Sequence, residues 1–289
     1  MKKSILITGA SRGIGLLSAK KLATAGHTVF AGMRSINGHN AGTAENIAHW
    51  AARNKVHITP VELDVTDDEN VQSAVDKITA SHPIDVLVNN AGVMPVGLTE
   101  AYTIADIQQC LDVNVLGAIR CTRAVLPAMR SRKAGHLLHL SSTAGRIAIP
   151  FFGIYCASKW ALEGYVESLH YEVSKFGVET TIIEPGGHAT DLVENPPSPS
   201  DLDCITNYGS VSEGPKNFLG MFSSMFERNQ AINDASNVAE KITDVIAING
   251  PKPLRVTIGD DMGVLEINTK TKGAQSTLIQ NLSPMIPDP

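Results

Sequence analysis

Ser4-Ile5-Leu6-Ile7-Thr8-Gly9-Ala10-Ser11-Arg12-Gly13-Ile14-Gly15 decides the fold of this chain. Ser4 to Thr8 is a short apolar run, the composition of a strand buried on both faces. A turn with glycines at 9, 13 and 15 follows at once, and a helical pattern then runs from Ile14 to about Ala25. Three glycines between a strand and a helix permit a tight turn, a close backbone approach and close helix packing. Backbone N–H groups are left pointing at a diphosphate. The spacing is Gly-x-x-x-Gly-x-Gly, and Lys20-Lys21 does not suit a P-loop.

The same alternation continues outward. Strands are predicted at 28–33, 56–63 (broken by Pro60), 84–88, 135–140, 178–183 and 255–258. Helices are predicted at 44–54, 69–80, 104–115, 155–176 and 235–249, and Gly117 interrupts an extension of the third of these to about Met129. Gly177 is placed to close the long helix as a C-cap. Strands alternating with helices predict an α/β fold, a doubly wound parallel sheet of about seven strands with helices on both faces. We expect a single domain over 1–260, with a substrate loop or lid at 189–227 and an extension of low regularity at 261–289. Within that lid, 191–215 reads as the least regular part of the chain.

Composition narrows the function. The 289 residues are 43% hydrophobic, enough to fill one large α/β core. A formal net charge of -5 gives no basic surface for nucleic acid or polybasic membrane contact. The four cysteines, Cys110, Cys121, Cys156 and Cys204, show no short paired spacing, so no metal site is expected. Ile5-Leu6-Ile7 is too short for a signal peptide, and no apolar run reaches a bilayer span. The expectation is a soluble, cytoplasmic protein with a small-molecule substrate.

The chemistry collects at strand ends. The second strand ends at Gly32-Met33-Arg34, where NAD sites usually carry a carboxylate for the ribose 2′-OH. Arg34, with Arg12 in the glycine turn, would instead clasp a 2′-phosphate, so NADP(H) is expected rather than NAD(H). The polar loop 35–42 could also cover that phosphate. Asp64-Val65 sits at a third strand exit, with Asp64 either accepting from an adenine amino group or closing an Asx turn. Asn89-Asn90-Ala91-Gly92 leaves the fourth strand with small residues that let the backbone pass close to a ribose. Tyr155 and Lys159, four apart, share a helix face. A cation beside a phenol lowers its pKa and lets it trade a proton with a carbonyl or alkoxide oxygen. Ser142 leaves the fifth strand 13 residues earlier, with Ser141 and Thr143 as competing hydroxyls. Asn114 lies mid-helix, where its amide competes for backbone bonds. Met94, Val96, Ile149, Phe151 and Phe152 would supply an apolar pocket, and Leu192, Leu202, Ile205, Phe218 and Phe222 would join from beyond Thr190. His188 is the one ionisable side chain nearby, read as facing solvent or capping its loop.

Taken in order and at these intervals, Thr8-Gly9-(x)₃-Gly13-x-Gly15, Asp64, Asn89-Asn90-Ala91-Gly92, Asn114, Ser142, Tyr155-(x)₃-Lys159 and Pro185-Gly186 with Thr190 resemble the short-chain dehydrogenase/reductase family. The resemblance covers roughly Lys3 to Ile258 and implies a Rossmann-like domain. It implies Ser142 over Ser141, a water held by Asn114 in a proton relay through Lys159, and Thr190 near the nicotinamide amide. Ser142, Tyr155, Lys159 and Asn114 would be catalytic. Gly9, Ser11, Arg12, Gly13, Ile14, Gly15, Arg34, Asp64, Val65, Asn90, Ala91, Gly92, Pro185, Gly186 and Thr190 would bind cofactor together with Tyr155 and Lys159. The expected reaction is hydride transfer to the carbonyl of a neutral, apolar aldehyde or ketone. Alternatives are an epimerase, dehydratase or isomerase on the same fold, and a non-catalytic cofactor-binding regulator. The resemblance also implies a homodimer or homotetramer paired through the helices near 104–129 and 155–176.

Overall fold

The computed structural model describes residues 1–188, 190, 192, 196–282 and 284, and for 225–227 the backbone alone. Seven parallel strands form one sheet in the order β3-β2-β1-β4-β5-β6-β7. They are β1 (Ser4–Ile7), β2 (Thr28–Met33), β3 (His57–Glu62), β4 (Val86–Asn89), β5 (Gly135–Leu140), β6 (Val178–Pro185) and β7 (Arg255–Ile258). The inner strands β1 and β4 are buried along their whole length, which is why they read as continuous apolar runs. Side chains alternate between faces. Ile5 and Ile7 enter one core with α1 (Gly13–Thr24), α2 (Ala41–Asn54) and the helix Ala235–Ala247, while Leu6 enters the other. That second core is built against α3 (Asp68–Thr79), α5 (Gly117–Arg132) and α6 (Gly153–Val173). The expected doubly wound sheet is therefore present.

The strand order reverses between β1 and β4, the point where open α/β sheets bind ligands. The two exits clamp each other there. Thr8 Oγ1 accepts from the amides of Asn90 and Ala91, both at 3.0 Å, and Asn90 Nδ2 donates back to the carbonyls of Thr8 and Gly9 at 2.8 and 3.0 Å.

Several boundaries differ from the sequence reading for physical reasons. Pro60 does not break its strand, because β3 is an edge that pairs only with β2. Gly117 does not interrupt its helix: α4 (Ile104–Leu111) runs through a π-helical turn at Asp112–Leu116 directly into α5. A Cβ on Gly117 would come within 2.8 Å of a Val65 methyl, so that glycine serves close packing. The stretch 191–215 is more regular than expected. Asp201 caps a short helix at Leu202–Asn207, and a 3₁₀ turn follows at Gly209–Glu213. Residues 191, 193–195 and the side chains of Met225 and Phe226 lie outside the described residues. The segment 261–289 is not irregular where it is described, since Val264–Leu282 is helical. Gly177 does end α6 and its 3₁₀ extension, at φ 69°. A side chain there would run into the Lys133 carbonyl.

Candidate active site

A cleft of about 380 Å³ opens at the carboxyl ends of the strands. Gly9, at φ 65°, and Gly15 form its floor. A Cβ on Gly9 would lie 2.8 Å from Ala91 Cα, and one on Gly15 would lie 2.5 Å from Asn90 Nδ2. The glycine turn is thus wedged against the β4 exit. Gly13, also left-handed at φ 54°, has among the described residues only Thr190 near its missing side chain, at 3.9 Å. Helix α1 has no acidic residue in its first turn and no side-chain cap, so its amino end faces the cleft with N–H groups to give. Ser11, Arg12, Ile14, Asn90, Ala91 and Gly92 complete this wall. A diphosphate-bearing dinucleotide fits such a cradle by donor set and by the space the glycines leave.

Arg34, His39 and Asn40 line the same cleft as Arg12. Arg12 and Arg34 are both exposed cations. Glu62 is the carboxylate close by, and its two oxygens accept from the Ser35 and Ile36 amides at 2.6 and 2.8 Å. Gly32 is sealed: a Cβ there would meet Leu63 at 2.8 Å and the Ile7 carbonyl at 2.9 Å. An acidic replacement at Gly32 would therefore disturb the sheet before it altered any specificity. Asp64 closes an Asx turn, its Oδ1 accepting from the Thr66 amide and hydroxyl at 2.9 and 2.7 Å, and it lines the cleft beside Val65.

Tyr155 and Lys159 occupy the first turns of α6, and both are buried. Lys159 Nζ donates to the Leu140 carbonyl at 2.7 Å and stands 5.7 Å from the centroid of the Tyr155 ring. Burial pushes the Lys159 ammonium down to about 8. The phenol departs from the sequence expectation. Burial raises the Tyr155 pKa above its ordinary value, and a hydrogen bond with Ser142 opposes this only in part. The group is thus a protonated phenol at neutral pH. Geometry separates the three hydroxyls. Ser141 Oγ is committed to Glu163 Oε1 at 2.6 Å, and Thr143 is buried within a 3₁₀ turn. Ser142 Oγ accepts from the Ala144 amide at 3.1 Å and reaches Tyr155.

Asn114 sits in the π turn, buried behind the cleft. Its Oδ1 accepts from the Val93 amide at 2.8 Å, and its Nδ2 donates to the Val93 carbonyl and Ser158 Oγ, both at 2.9 Å. The side chain pairs with Val93 as a strand would, and so fixes the β4 exit. The widened turn absorbs an amide that would be unfavourable in a regular helix.

Aromatic rings build the opposite wall. Phe152 packs edge-on to Tyr155 at 6.1 Å and to Phe218 at 5.2 Å, and stacks on Phe222 at 6.0 Å. Met94, Ile149, Phe152, Leu192 and Phe222 line the cleft. Phe151 and Phe218 stand one layer behind, edge to face at 6.3 Å. Leu202 is 70% exposed and Ile205 does not reach the cleft, so neither joins the pocket. Pro185, Gly186 and Thr190 also line the cleft. His188 does not face solvent: it is buried, its Nδ1 bonds the carbonyl of Gly186 in its own loop at 3.0 Å, and it lines the cleft, while its ring would clash with any side chain on Gly259. Leu219 lines the cleft beside Phe222, and Met262, which was missed from the sequence, lines it as well. Met262 had no signal, because the segment carrying it returns to the site only through the β7 register.

A family model described as short chain dehydrogenase matches residues 3–200. Over 268 residues the chain is 36% identical to a 3-ketodihydrosphingosine reductase of Bacteroides thetaiotaomicron, covering 92% of this chain and 91% of that one. It is 33% identical over 255 residues to human 17-beta-hydroxysteroid dehydrogenase type 1, covering 86% and 75% of the two chains. A crystal structure of a short-chain dehydrogenase from Streptomyces avermitilis superposes with a TM-score of 0.75 at 28% identity, over 98% of this chain and 97% of the other. The glycine cradle, the strand order that opens it and the extent of these matches lead to one conclusion: the chain belongs to the short-chain dehydrogenase family.

Proposed function

We propose that the protein is an NADP(H)-dependent oxidoreductase that reduces the carbonyl of a neutral, largely apolar aldehyde or ketone to the alcohol. One observation carries the reading. The buried Tyr155 phenol, bonded to Ser142 and underlain by Lys159, opens on a cleft whose far wall is phenylalanine. The cradle at the amino end of α1 would hold the diphosphate, and Arg34 with Arg12 would hold a 2′-phosphate. When bound, the nicotinamide supplies a hydride to the carbonyl carbon in reduction and accepts one in the reverse direction. Ser142 donates a hydrogen bond to the carbonyl oxygen and fixes its position. Tyr155 gives its proton to that oxygen as charge develops there. Lys159 would orient the nicotinamide ribose, and it supplies positive charge beside the Tyr155 ring. Asn114 keeps Val93, and with it Gly92, in place beside Lys159.

The substrate class follows from the wall. An apolar pocket with one polar corner selects an apolar body attached to a carbonyl. A carboxylate or phosphate bound there would leave its charge unpaired. The names of the two relatives, a keto reductase and a hydroxysteroid dehydrogenase, agree with such a class. The test is a panel of carbonyl compounds with each reduced cofactor. Aryl and alkyl ketones and aldehydes should exceed phosphorylated sugars and short 2-oxo acids in kcat/KM by more than about tenfold, or roughly 1.4 kcal/mol of transition-state preference. A reversed order would overturn the pocket, and equal use of NADH would overturn the cofactor.

A further inference from the structure

Ser142 lies between two residues that are tied elsewhere. On one side Ser141 Oγ donates to Glu163 Oε1 at 2.6 Å. On the other, Arg146 Nε donates to Asn268 Oδ1 at 2.9 Å, and Arg146 Nη2 donates to Thr271 Oγ1 at 3.3 Å. The two ties meet within the molecule. Asn268 Nδ2 donates to Glu184 Oε2 at 2.6 Å, and Arg255 Nη1 donates to Glu184 Oε1 at 2.7 Å and to Glu163 Oε2. A path through Arg146, Asn268, Glu184, Arg255, Glu163 and Ser141 thus leaves the β5 exit and returns to it. The segment 141–146 is the part of the ring that carries Ser142. Glu184 also precedes Pro185, whose carbonyl accepts from Ser142 Oγ at 3.5 Å.

Charge explains why the link at 268 is an amide. Glu163 and Glu184 are buried, and Glu167 adds a third carboxylate to the same guanidinium through Arg255 Nη2 at 2.7 Å. Burial, and then the neighbouring Glu163, push the Glu184 carboxyl up. A fourth carboxylate at 268 would add repulsion. An amide instead donates to Glu184 and accepts from Arg146 at once, which joins a second guanidinium to the ring without another acid. Such networks are rigid only when every member is satisfied.

We propose that Asn268, on the C-terminal helix Val264–Leu282, is a positioning residue for Ser142: acting through Arg146 and Glu184, it holds the β5 exit so that the Ser142 hydroxyl meets the substrate oxygen. This rests on the role given to Ser142 above, and its test is built to separate the two. Asn268→Ala and Arg146→Gln are compared with the intact chain by amide hydrogen exchange, cofactor titration, thermal unfolding and carbonyl reduction with deuterated cofactor. The Ala144 amide donates to Ser142 Oγ, so its exchange reports the hold directly. In each variant that exchange should quicken and kcat should fall, both by about tenfold, the cost of a loosened reacting group. The deuterium isotope effect should grow, while cofactor affinity and the unfolding midpoint stay as they were. The double variant should be no worse than either single one. Unchanged exchange would overturn the proposal, as would a loss of rate that travels with the midpoint. If the intact chain reduces no carbonyl, the functional reading fails, and amide exchange still decides the role of Asn268. Should Asn268→Ala not fold, Arg146→Gln breaks the same link from the other side.

Discussion

Tyr155 and Lys159 share a helix face, and burial acts on them in opposite directions. It keeps the phenol protonated and pushes the ammonium down to about 8. An unfolded lysine ionises near 10.4. Its folded value is lower, so the unfolded chain binds the proton more tightly. The penalty is full below pH 8 and fades as pH rises toward 10. At neutral pH it is about 3 kcal/mol, from about 1.4 kcal/mol for each pH unit of displacement. Lys159→Met should therefore raise the unfolding midpoint while reduction collapses, a trade between stability and function measurable by calorimetry and assay together. In the intact protein kcat/KM for reduction should decline as pH passes upward through about 8, when the ammonium is lost. A flat profile from pH 7 to 9 would exclude this role for Lys159. Arg34 is the second residue with a separable effect. A charge-assisted bond contributes roughly 1.5–3 kcal/mol, so Arg34→Ala should weaken NADPH binding by about 10- to 100-fold and leave NADH nearly unchanged in a fluorescence titration. These residues were legible because their spacing is local. Spacing did not separate Ser142 from its neighbours, the family resemblance did, and the Glu163 contact gives the physical reason by placing Ser141 elsewhere.

Elements were readable where burial follows a simple period, and misread where a polar contact replaced it. The strands at 28–33, 135–140 and 255–258 fall where the sequence predicts them, because apolar runs between turn residues leave little choice. The helix Val264–Leu282 was missed for the opposite reason. Only Val264 is buried among its described residues, Gly273 lies mid-helix, and its attachment runs through Asn268, Thr271 and Gln275. No apolar stripe announces such a helix. The segment 196–208 is likewise pinned by polar bonds: Ser200 Oγ donates to Asp106 at 2.7 Å, the Asp201 amide to the Ala101 carbonyl at 3.1 Å, and Tyr208 Oη to Glu100 at 2.6 Å. The helix Gly214–Arg228 brings Phe218 to the wall, where its ring contacts Phe151, Phe152 and Phe222. Phe218→Ala should raise KM for aryl ketones about tenfold and spare cofactor affinity, since it stands in the second layer and away from the cradle. Equal losses for apolar and anionic substrates would show that the helix does not set selectivity.

At the scale of the molecule, the sheet and its two cores account for most of the apolar residues on α5 and α6, including Val125, Leu162, Val166 and Leu169. Ile104 at the start of α4, Leu116 in the π turn and Trp160 on α6 stay exposed, at 70%, 45% and 51%. We expect a second copy to cover them. Light scattering should report a dimer or tetramer at micromolar concentration, and Trp160→Glu should split it; a monomeric intact chain would count against this surface. Among the described residues no helix is long and apolar enough to cross a membrane. Net hydride transfer to a carbonyl carbon, with the proton from Tyr155, is read out by supplying NADPH that carries deuterium at both nicotinamide C4 positions with an aryl ketone and weighing the product. The product should be an alcohol carrying one deuterium on the carbinol carbon, with one NADPH oxidised per alcohol formed and a rate lower by about 10² to 10⁴-fold in Tyr155→Phe, the usual contribution of a placed general acid. Product without deuterium, turnover without net cofactor oxidation, or a Tyr155→Phe variant that keeps most of its kcat would contradict it.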